Sequence, residues 1–398
     1  SPLPWGFSGL PVSYNVGALS AFVKELSRFR LESYCLFNWG ELSLPRMIAD
    51  ILSKVELEAS SELGTLGFSD PRCALRNLKA LEKTGVSASL DSVLKSVLES
   101  ASPDAALNNF ERVASESAET LQRLPQKDLS SLVKICGSSH FLTSIILKNP
   151  QYLGWLFDEG LNSVRSIESL SEEISARTQE LTTIEEVSKE LRLIKQREYL
   201  RVGGRDLLRL STLEETTREL SDLASASLDA AVTFSIGRLK AAHGSPLYID
   251  HDGAEKEAGL TVIGMGKLGG RELNFSSDID IIYIYSSDKG ETTGIEGKDG
   301  SSIALHAFFV KASTMATKLI SNVTEDGFVF RVDLDLRPEG RSGDAANSLR
   351  SAEVYYESWG QMWERAAMIK ARPVAGSVSL GEEFLSMIRP FVFRKYLD

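Results

Sequence analysis

The stretch GMGKLGGRELNFSSDIDIIYIY, Gly264 to Tyr285, decides how the rest of the chain is read. It sets four glycines, Gly264, Gly266, Gly269 and Gly270, ahead of two aspartates, Asp278 and Asp280, that open an isoleucine- and tyrosine-rich run. β-Branched and aromatic residues in such a run predict a strand, and side chains two apart on a strand share a face. Both carboxylates then point the same way, about 6.6 Å apart, twice the rise per residue. That arrangement suits a divalent metal, because carboxylates hold Mg²⁺ while leaving positions open for phosphate oxygens. Paired ions ~3.5 to 4 Å apart can stabilise both the attacking and the leaving oxygen, which calls for a further carboxylate nearby. The glycines permit close backbone approach to a phosphate, with Lys267, Arg271 and the N–H groups of the following turn facing it.

Downstream, FVFRVDLDLRP from Phe328 to Pro338 predicts a second strand. It carries Asp333 and Asp335 on one face, and then Arg337, whose planar fork suits phosphate. An Asp-x-Asp spacing alone is weak, as its recurrence here shows. A glycine-rich turn, a short helix, a strand with two aspartates and a later strand with another form an ordered set that chance seldom assembles. Bland readings stand beside the functional ones. Lys267 and Arg271 could be solvated helix charges. The segment WERAAMIKARP from Trp363 predicts a helix with Arg365 and Arg372 seven apart on one face, directed at phosphates or paired with acids. Trp359 and Trp363, four apart, are expected as core anchors rather than a base-stacking platform.

Of 398 residues 42% are hydrophobic and 25% charged, the composition of a soluble globular protein of two or three units. A net charge of -11 works against wrapping a polyanion, so no nucleic-acid partner is expected. Cys35, Cys73 and Cys136 are odd in number and far apart, and the four histidines are scattered. Neither a disulfide framework nor a zinc site is expected, the cysteines read as small core residues, and a reducing cytoplasm fits. No basic start precedes an apolar run and no uninterrupted apolar stretch of membrane-spanning length occurs, so no membrane partner is expected. A chain that starts at Ser1 reads as a piece of something longer.

Residues 1–244 read as a helical region with apolar residues at spacings of three and four. SSLVKICGSSHFLTSIILKNP from Ser130 predicts two short helices broken at Gly137, and Pro150 opens another. Leu191, Ile194, Glu198 and Arg201 outline a helix with an apolar and a polar face. A capping box of Ser211 and Glu214 starts a long helix that reaches about Leu239. At His243 the texture changes. Residues 245–345 read as an α/β core with strands at LYI and LTVIG and a helix from about Ser302 to Ser321. The polar stretch 286–300 between them is either mobile or a substrate-contacting loop, and 346–398 is a helical segment completing the catalytic domain. The fold class is α+β.

GMGKLGGRELNFSSDIDIIY, RVDLDLRPEGRSG, YYESWGQMWERAAMIKARPVAG and PFVFRKYLD together resemble the glutamine synthetase adenylyltransferase family, from about Ser130 to Asp398. The resemblance implies a DNA polymerase β-like nucleotidyltransferase domain, a small mixed sheet with flanking helices. It also implies Asp278, Asp280 and Asp333 as ligands of Mg²⁺, two ions, with Mn²⁺ as the alternative. Gly266, Lys267, Gly269, Gly270, Arg271, Ser277, Arg337, Arg365, Lys370 and Arg372 are the residues expected on nucleotide or phosphate. Asp335 departs from the family pattern, which has arginine there, and Gly266-Lys267 stands where related enzymes have Gly-Ser. KQREYLRVGGRDL from Lys195, LEETTRELSDLA from Leu213 and MWERAAMIKARPVAG from Met362 resemble the N-terminal, adenylyl-removing half. The implied reaction is phosphorolysis of adenylyl-tyrosine on glutamine synthetase to ADP, with phosphate, ADP or ATP and the PII signal protein as partners. The rivals are transfer of AMP from ATP, and a non-catalytic module that docks glutamine synthetase or PII.

Overall fold

The computed structural model describes residues 47–86 and 90–393, so Cys35 and the last five residues of PFVFRKYLD lie outside it. From Met47 to Asp158 the chain is a series of short α-helices. Asp70 caps Pro71–Lys83 by accepting from the Cys73 N–H, and Ser102 does the same for Pro103–Glu116. Each cap satisfies an orphan N–H, and the proline behind it lacks only an N–H that the helix would leave unpaired. Gly137 is not the break expected there. Gln126–Ser138 runs through it, and Ser139 ends that helix and caps His140–Lys148 through the Leu142 N–H. A Cβ on Gly137 would lie 3.0 Å from Ala106 Cβ, so its role is a close helix crossing.

Two long helices follow, Ile184–Leu207 and Leu213–His243, each opened by a reciprocal capping box, Thr183 with Glu186 and Thr212 with Glu215. The second box sits one residue later than Ser211 and Glu214, because Thr212 is the residue in extended conformation, while Ser211 Oγ hydrogen-bonds Thr216 Oγ1. Leu213–His243 is the spine of the molecule and contacts the helices Ile167–Thr178, Ile184–Leu207 and Leu305–Ser321. Small residues such as Ala224, Ser225, Ser227, Ala231 and Ser235 line its buried length. The hydroxyls of Ser221, Ser225, Ser227 and Ser235 donate to carbonyls four residues back, so close packing leaves them paired.

Strands β1 (Pro246–Ile249), β2 (Glu255–Glu257), β3 (Leu260–Gly264), β4 (Ile279–Tyr285), β5 (Glu291–Thr292), β6 (Val332–Asp333), β7 (Ala346–Ser348) and β8 (Arg372–Gly376) form two sheets. The smaller is antiparallel, in the order β2-β1-β5. In the larger, β3 runs antiparallel between β4 and β8, and β4 pairs in parallel with β6 and β7. β4 explains the layering by its period of two. Ile279, Ile281, Tyr283 and Tyr285 enter the main core with the Leu305–Ser321 helix, while Ile282 and Ile284 enter a second core with Tyr356, Met368, Phe384 and Ile388. With both faces covered, β4 needs apolar residues at every position except 280.

Several expected features differ. FVFRVDLDLRP is not one strand: only Val332 and Asp333 are, because the Asp335 N–H turns back to Asp333 Oδ1 at 2.7 Å and the Arg337 N–H to the Leu334 carbonyl at 3.1 Å. The C-terminal segment is not wholly helical. The helix after Trp359 ends at Met368, and Arg372 opens β8, which pairs with β3, so Arg365 and Arg372 do not share a helix face. The 286–300 stretch holds β5, tied to β1, and the Ile295 N–H donates to Ser301 Oγ at 2.6 Å. Trp359 and Trp363 are 70% and 54% exposed and are not core anchors. Cys136 is buried as expected, whereas Cys73 is half-buried.

The polar face expected for Ile184–Leu207 is also absent at Glu198 and Arg201, both buried. Arg201 donates to Glu198 Oε2 at 2.7 Å and Glu219 Oε1 at 2.9 Å. Arg165 and Arg197 reach Glu198 Oε1 at 2.9 and 3.1 Å, and Arg197 and Arg165 also pair with Glu173. With Arg177, which pairs with both Glu173 and Glu190, four arginines balance four glutamates where three helices meet, which is how charges are held inside a protein. Farther along, Gly203 and Gly204 lie where a Cβ would come 2.9 Å from Leu142 and 3.1 Å from Leu161. Much of KQREYLRVGGRDL is therefore the joint that fixes helices to one another.

Candidate active site

The site lies where β3 ends and β4 begins. Because the two strands are antiparallel, Gly264 is in register with Ile281, and the Met265 N–H donates to the Asp280 carbonyl at 2.9 Å. The glycine turn after β3 is thereby delivered to Asp280, the aspartate of β4. Gly266 has φ +51°, and a Cβ there would lie 3.0 Å from Asp280 Oδ2. A side chain at 266 would meet both left-handed backbone strain and the carboxylate. On the other flank, parallel pairing of β4 with β6 sets Asp280 directly beside Asp333.

Asp280 is half-buried, and burial first, then the charges of Asp333 and Asp278, push its carboxyl above the ordinary range, with Lys267 pulling the other way. Crowded carboxylates that raise one another disfavour full ionisation unless a cation joins them. Oxygen donors of this kind, side by side and facing a glycine that leaves the space open, fit a hard divalent cation. Asp278 precedes the strand and is half exposed, and its Oδ1 pairs with Arg331 Nε. Arg331 also donates to the Ser276 carbonyl at 2.5 Å. Arg331 is absent from the expected set, although its place two residues before Asp333 in RVDLDLRP could have flagged it.

The remaining expected residues divide. Lys267 is exposed beside Asp280, and Ser277 is half-buried next to Asp278. Arg271 pairs with Asp222 on the long helix at 2.7 Å, and Lys370 with Glu272 at 2.6 Å. Gly269 is a packing position, since a Cβ would strike the Lys370 carbonyl at 2.1 Å, and one on Gly270 would meet the Lys370 side chain at 3.0 Å. Arg372 donates to the carbonyls of Gly269 and Leu268, both at 3.3 Å, closing the short helix Gly266–Gly269. Arg337 donates to the carbonyls of Leu334 and Gly343, at 2.8 and 3.1 Å, and fixes its own loop. Arg365 lies over the Phe391 ring at 5.9 Å. Asp335 faces Arg341 at 2.8 Å, and that hydrogen bond holds its carboxyl below the ordinary range. Asp335 thus has a partner of its own, apart from Asp333. Among the described residues, the group whose candidate ligand atoms all lie within 4.8 Å of one another is Asp250, His251 and Asp252, on the β1–β2 turn with Asp250 paired to Lys256; Asp278, Asp280 and Asp333 do not close up that tightly.

A mixed sheet between helical layers, with aspartates at the start of β4 and on β6 facing a glycine turn, defines a nucleotidyltransferase-like domain. The chain belongs to the glutamate-ammonia ligase adenylyltransferase family, whose profile matches residues 129–387. It is 38% identical over 294 residues to the bifunctional glutamine synthetase adenylyltransferase/adenylyl-removing enzyme of Thioalkalivibrio sulfidiphilus, covering 73% of this chain and 29% of that one. The protein of the same name from Hahella chejuensis is 42% identical over 229 residues, 58% of this chain and 22% of that one. That from Pseudomonas aeruginosa is 38% identical over 290 residues, 72% and 29%. The chain spans less than a third of the length of these relatives.

Proposed function

We propose that this chain is the adenylyl-removing module of its family, acting on adenylyl-tyrosine of glutamine synthetase in the cytoplasm, with a PII signal protein as regulator. The observation that carries an active site is Asp280 beside Asp333 across a parallel pair, facing Gly266. Support for the direction comes from KQREYLRVGGRDL, LEETTRELSDLA and MWERAAMIKARPVAG, which resemble the adenylyl-removing half. The relatives' names carry both activities. In this reading residues 245–345 with 346–398 form the catalytic unit and 1–244 a helical region beside it.

Asp278, Asp280 and Asp333 would hold Mg²⁺, which supplies neutralisation of the charge that develops on the transferring phosphoryl group and the departing oxygen. The chain's own groups do the positioning. Gly266 lets the backbone come close to Asp280, and Lys267 adds positive charge at the mouth. Arg331 neutralises Asp278 and is available to a phosphate once a cation takes its partner. An oxygen of inorganic phosphate bonds to the adenylyl phosphorus, the bond from phosphorus to the tyrosine oxygen breaks, and that oxygen takes a proton. ADP and unmodified tyrosine result.

Incubation with adenylylated glutamine synthetase, Mg²⁺ and phosphate should release ADP in proportion to phosphate. Transfer of label from ATP to unmodified glutamine synthetase, with no phosphate-dependent ADP, would reverse the assigned direction. Binding of glutamine synthetase without turnover either way would reduce the chain to a docking module. Gly266→Ala should cost roughly 1–2 kcal/mol of stability from the left-handed backbone. ADP release by that variant should fall well beyond what lost folding explains, as thermal melts run beside the assay would show.

A further inference from the structure

A cleft of about 310 Å³ lies between the Ile184–Leu207 helix, the end of His140–Lys148 and the hairpin at 324–330, lined among others by Lys148, Lys195, Tyr199, Ser277, Phe328 and Phe330. Lys195 is its central charge. Its ammonium sits 4.7 Å from the ring centres of Tyr199 and Phe328 and 5.6 Å from that of Phe330, and donates to the Phe328 carbonyl at 2.9 Å. Burial, then repulsion from Arg331 and Arg192, pushes it down to about 8. Among the described residues no carboxylate comes within 4.0 Å of it, and the acids at this cleft, Glu325 and Asp326, belong to its hairpin rim.

A purely structural role accounts poorly for this lysine. The hairpin is already clamped by Arg192, which donates to the carbonyls of Gly327 and Asn322 at 2.8 and 2.5 Å, and by Gln196 on the Asp326 carbonyl at 3.0 Å. Holding one more carbonyl does not require a half-buried cation among other cations, which is costly unless an anion joins it. Aromatic rings stabilise an ammonium but leave its charge uncompensated. The cleft runs on toward the carboxylates: Ser277 lines it and precedes Asp278, while Arg331 follows the lining Phe330 and pairs with Asp278.

We propose that the Lys195 cleft is a binding site for a phosphate-class oxyanion, continuous with the carboxylate site through Ser277 and Arg331. Its use as the entry point of the attacking phosphate rests on the phosphorolytic reading; the binding itself does not. An ammonium that anchors a dianion keeps its proton, so the bound anion should both shield Lys195 and raise the pH at which it reacts.

The test is limited acylation of the whole chain near pH 8, with mass-spectrometric readout of Lys195 against exposed Lys127, in inorganic phosphate, AMP, ADP or chloride at matched ionic strength. Phosphate should slow labelling of Lys195 several-fold and leave Lys127 unchanged, and Lys195→Met should lose the broadening of the phosphate ³¹P signal. Protection by ADP alone would assign the same site to a nucleotide's terminal phosphate. Equal labelling of Lys195 in every anion would overturn the proposal, and this measurement needs only the wild-type protein should the variant not fold. Protection without ADP release from adenylylated glutamine synthetase would sink the proposed reaction and leave this site standing. ADP release without protection would do the reverse.

Discussion

Asp280→Asn should lower phosphate-dependent ADP release by about a thousandfold or more, on the order of 4 kcal/mol of transition-state stabilisation, while the metal-free protein melts at the same or a higher temperature. The two halves of this expectation have one cause. Asp280 is half-buried beside Asp333, and burial with the Asp333 and Asp278 charges raises its carboxyl. A raised carboxyl contributes stability below its ordinary value of 3.8 and loses it as pH climbs through the folded value. Asparagine carries no such loss, so in chelator the variant should gain on the wild type as the pH rises through the carboxylate range. Function and fold thus pull in opposite directions at this residue. A structural aspartate would do otherwise, lowering the melting temperature together with the rate. Asp278→Asn serves as the stability comparison in chelator: it breaks the half-exposed pair with Arg331, worth at most about 1 kcal/mol, and removes one of the charges that raise Asp280.

Asp278 and Asp280 are legible as candidates because their spacing is a local property, and the strand is marked by its isoleucines and tyrosines, but it holds Asp280 alone, with Asp278 one residue before it. Asp333 was legible as a candidate, but only pairing of β6 with β4 explains why it, and not Asp335, stands next to Asp280. Two aspartates two apart look alike in sequence. What separates them is a turn held by the Asp335 N–H on Asp333 and a guanidinium, Arg341, six residues on. The basic residues were harder to read, because a cation free for phosphate and one clamped to carbonyls have the same sequence. Arg337 and Arg372 are of the second kind.

The same limit shaped the fold. Period and caps locate the helices but not every end: the spine runs to His243 rather than about Leu239, and the helix expected from about Ser302 starts at Leu305. β8 is not legible in the sequence because ARPVAG comes soon after a helix and its partner, β3, lies about a hundred residues upstream. In sequence Glu198 and Arg201 suggest a polar face because charge is normally solvated, and only three-dimensional proximity to Arg165, Arg197 and Glu219 accounts for their burial.

That cluster carries the second large effect. Glu198→Gln should cost about 3 to 5 kcal/mol, since it removes one partner and leaves buried guanidinium charge behind. Arg201 would keep Glu219, but Arg165 and Arg197 would share only Glu173. Burial works to raise the Glu198 carboxyl, and the attraction of Arg201, Arg165 and Arg197 outweighs it, so the net direction is down. Glu173 follows the same pattern: burial opposes, Arg197 and Arg165 prevail, and it falls from 4.5 to about 2. Carboxyls lowered in this way contribute stability above their unfolded values, and that stability drains as pH falls from about 4.5 toward 2. Wild-type melting temperature should therefore drop through this acid window, and the Glu198→Gln profile should be flatter, because one linked carboxyl is gone. At neutral pH the variant should melt roughly 4 to 6 °C lower. Glu353→Gln, which breaks the exposed pair with Arg350, should stay within about 0.5 kcal/mol of the wild type. Equal losses for the two variants would mean that the buried cluster is no more important to the fold than a surface pair, and a Glu198→Gln profile as steep as the wild type's would remove Glu198 from the acid transition.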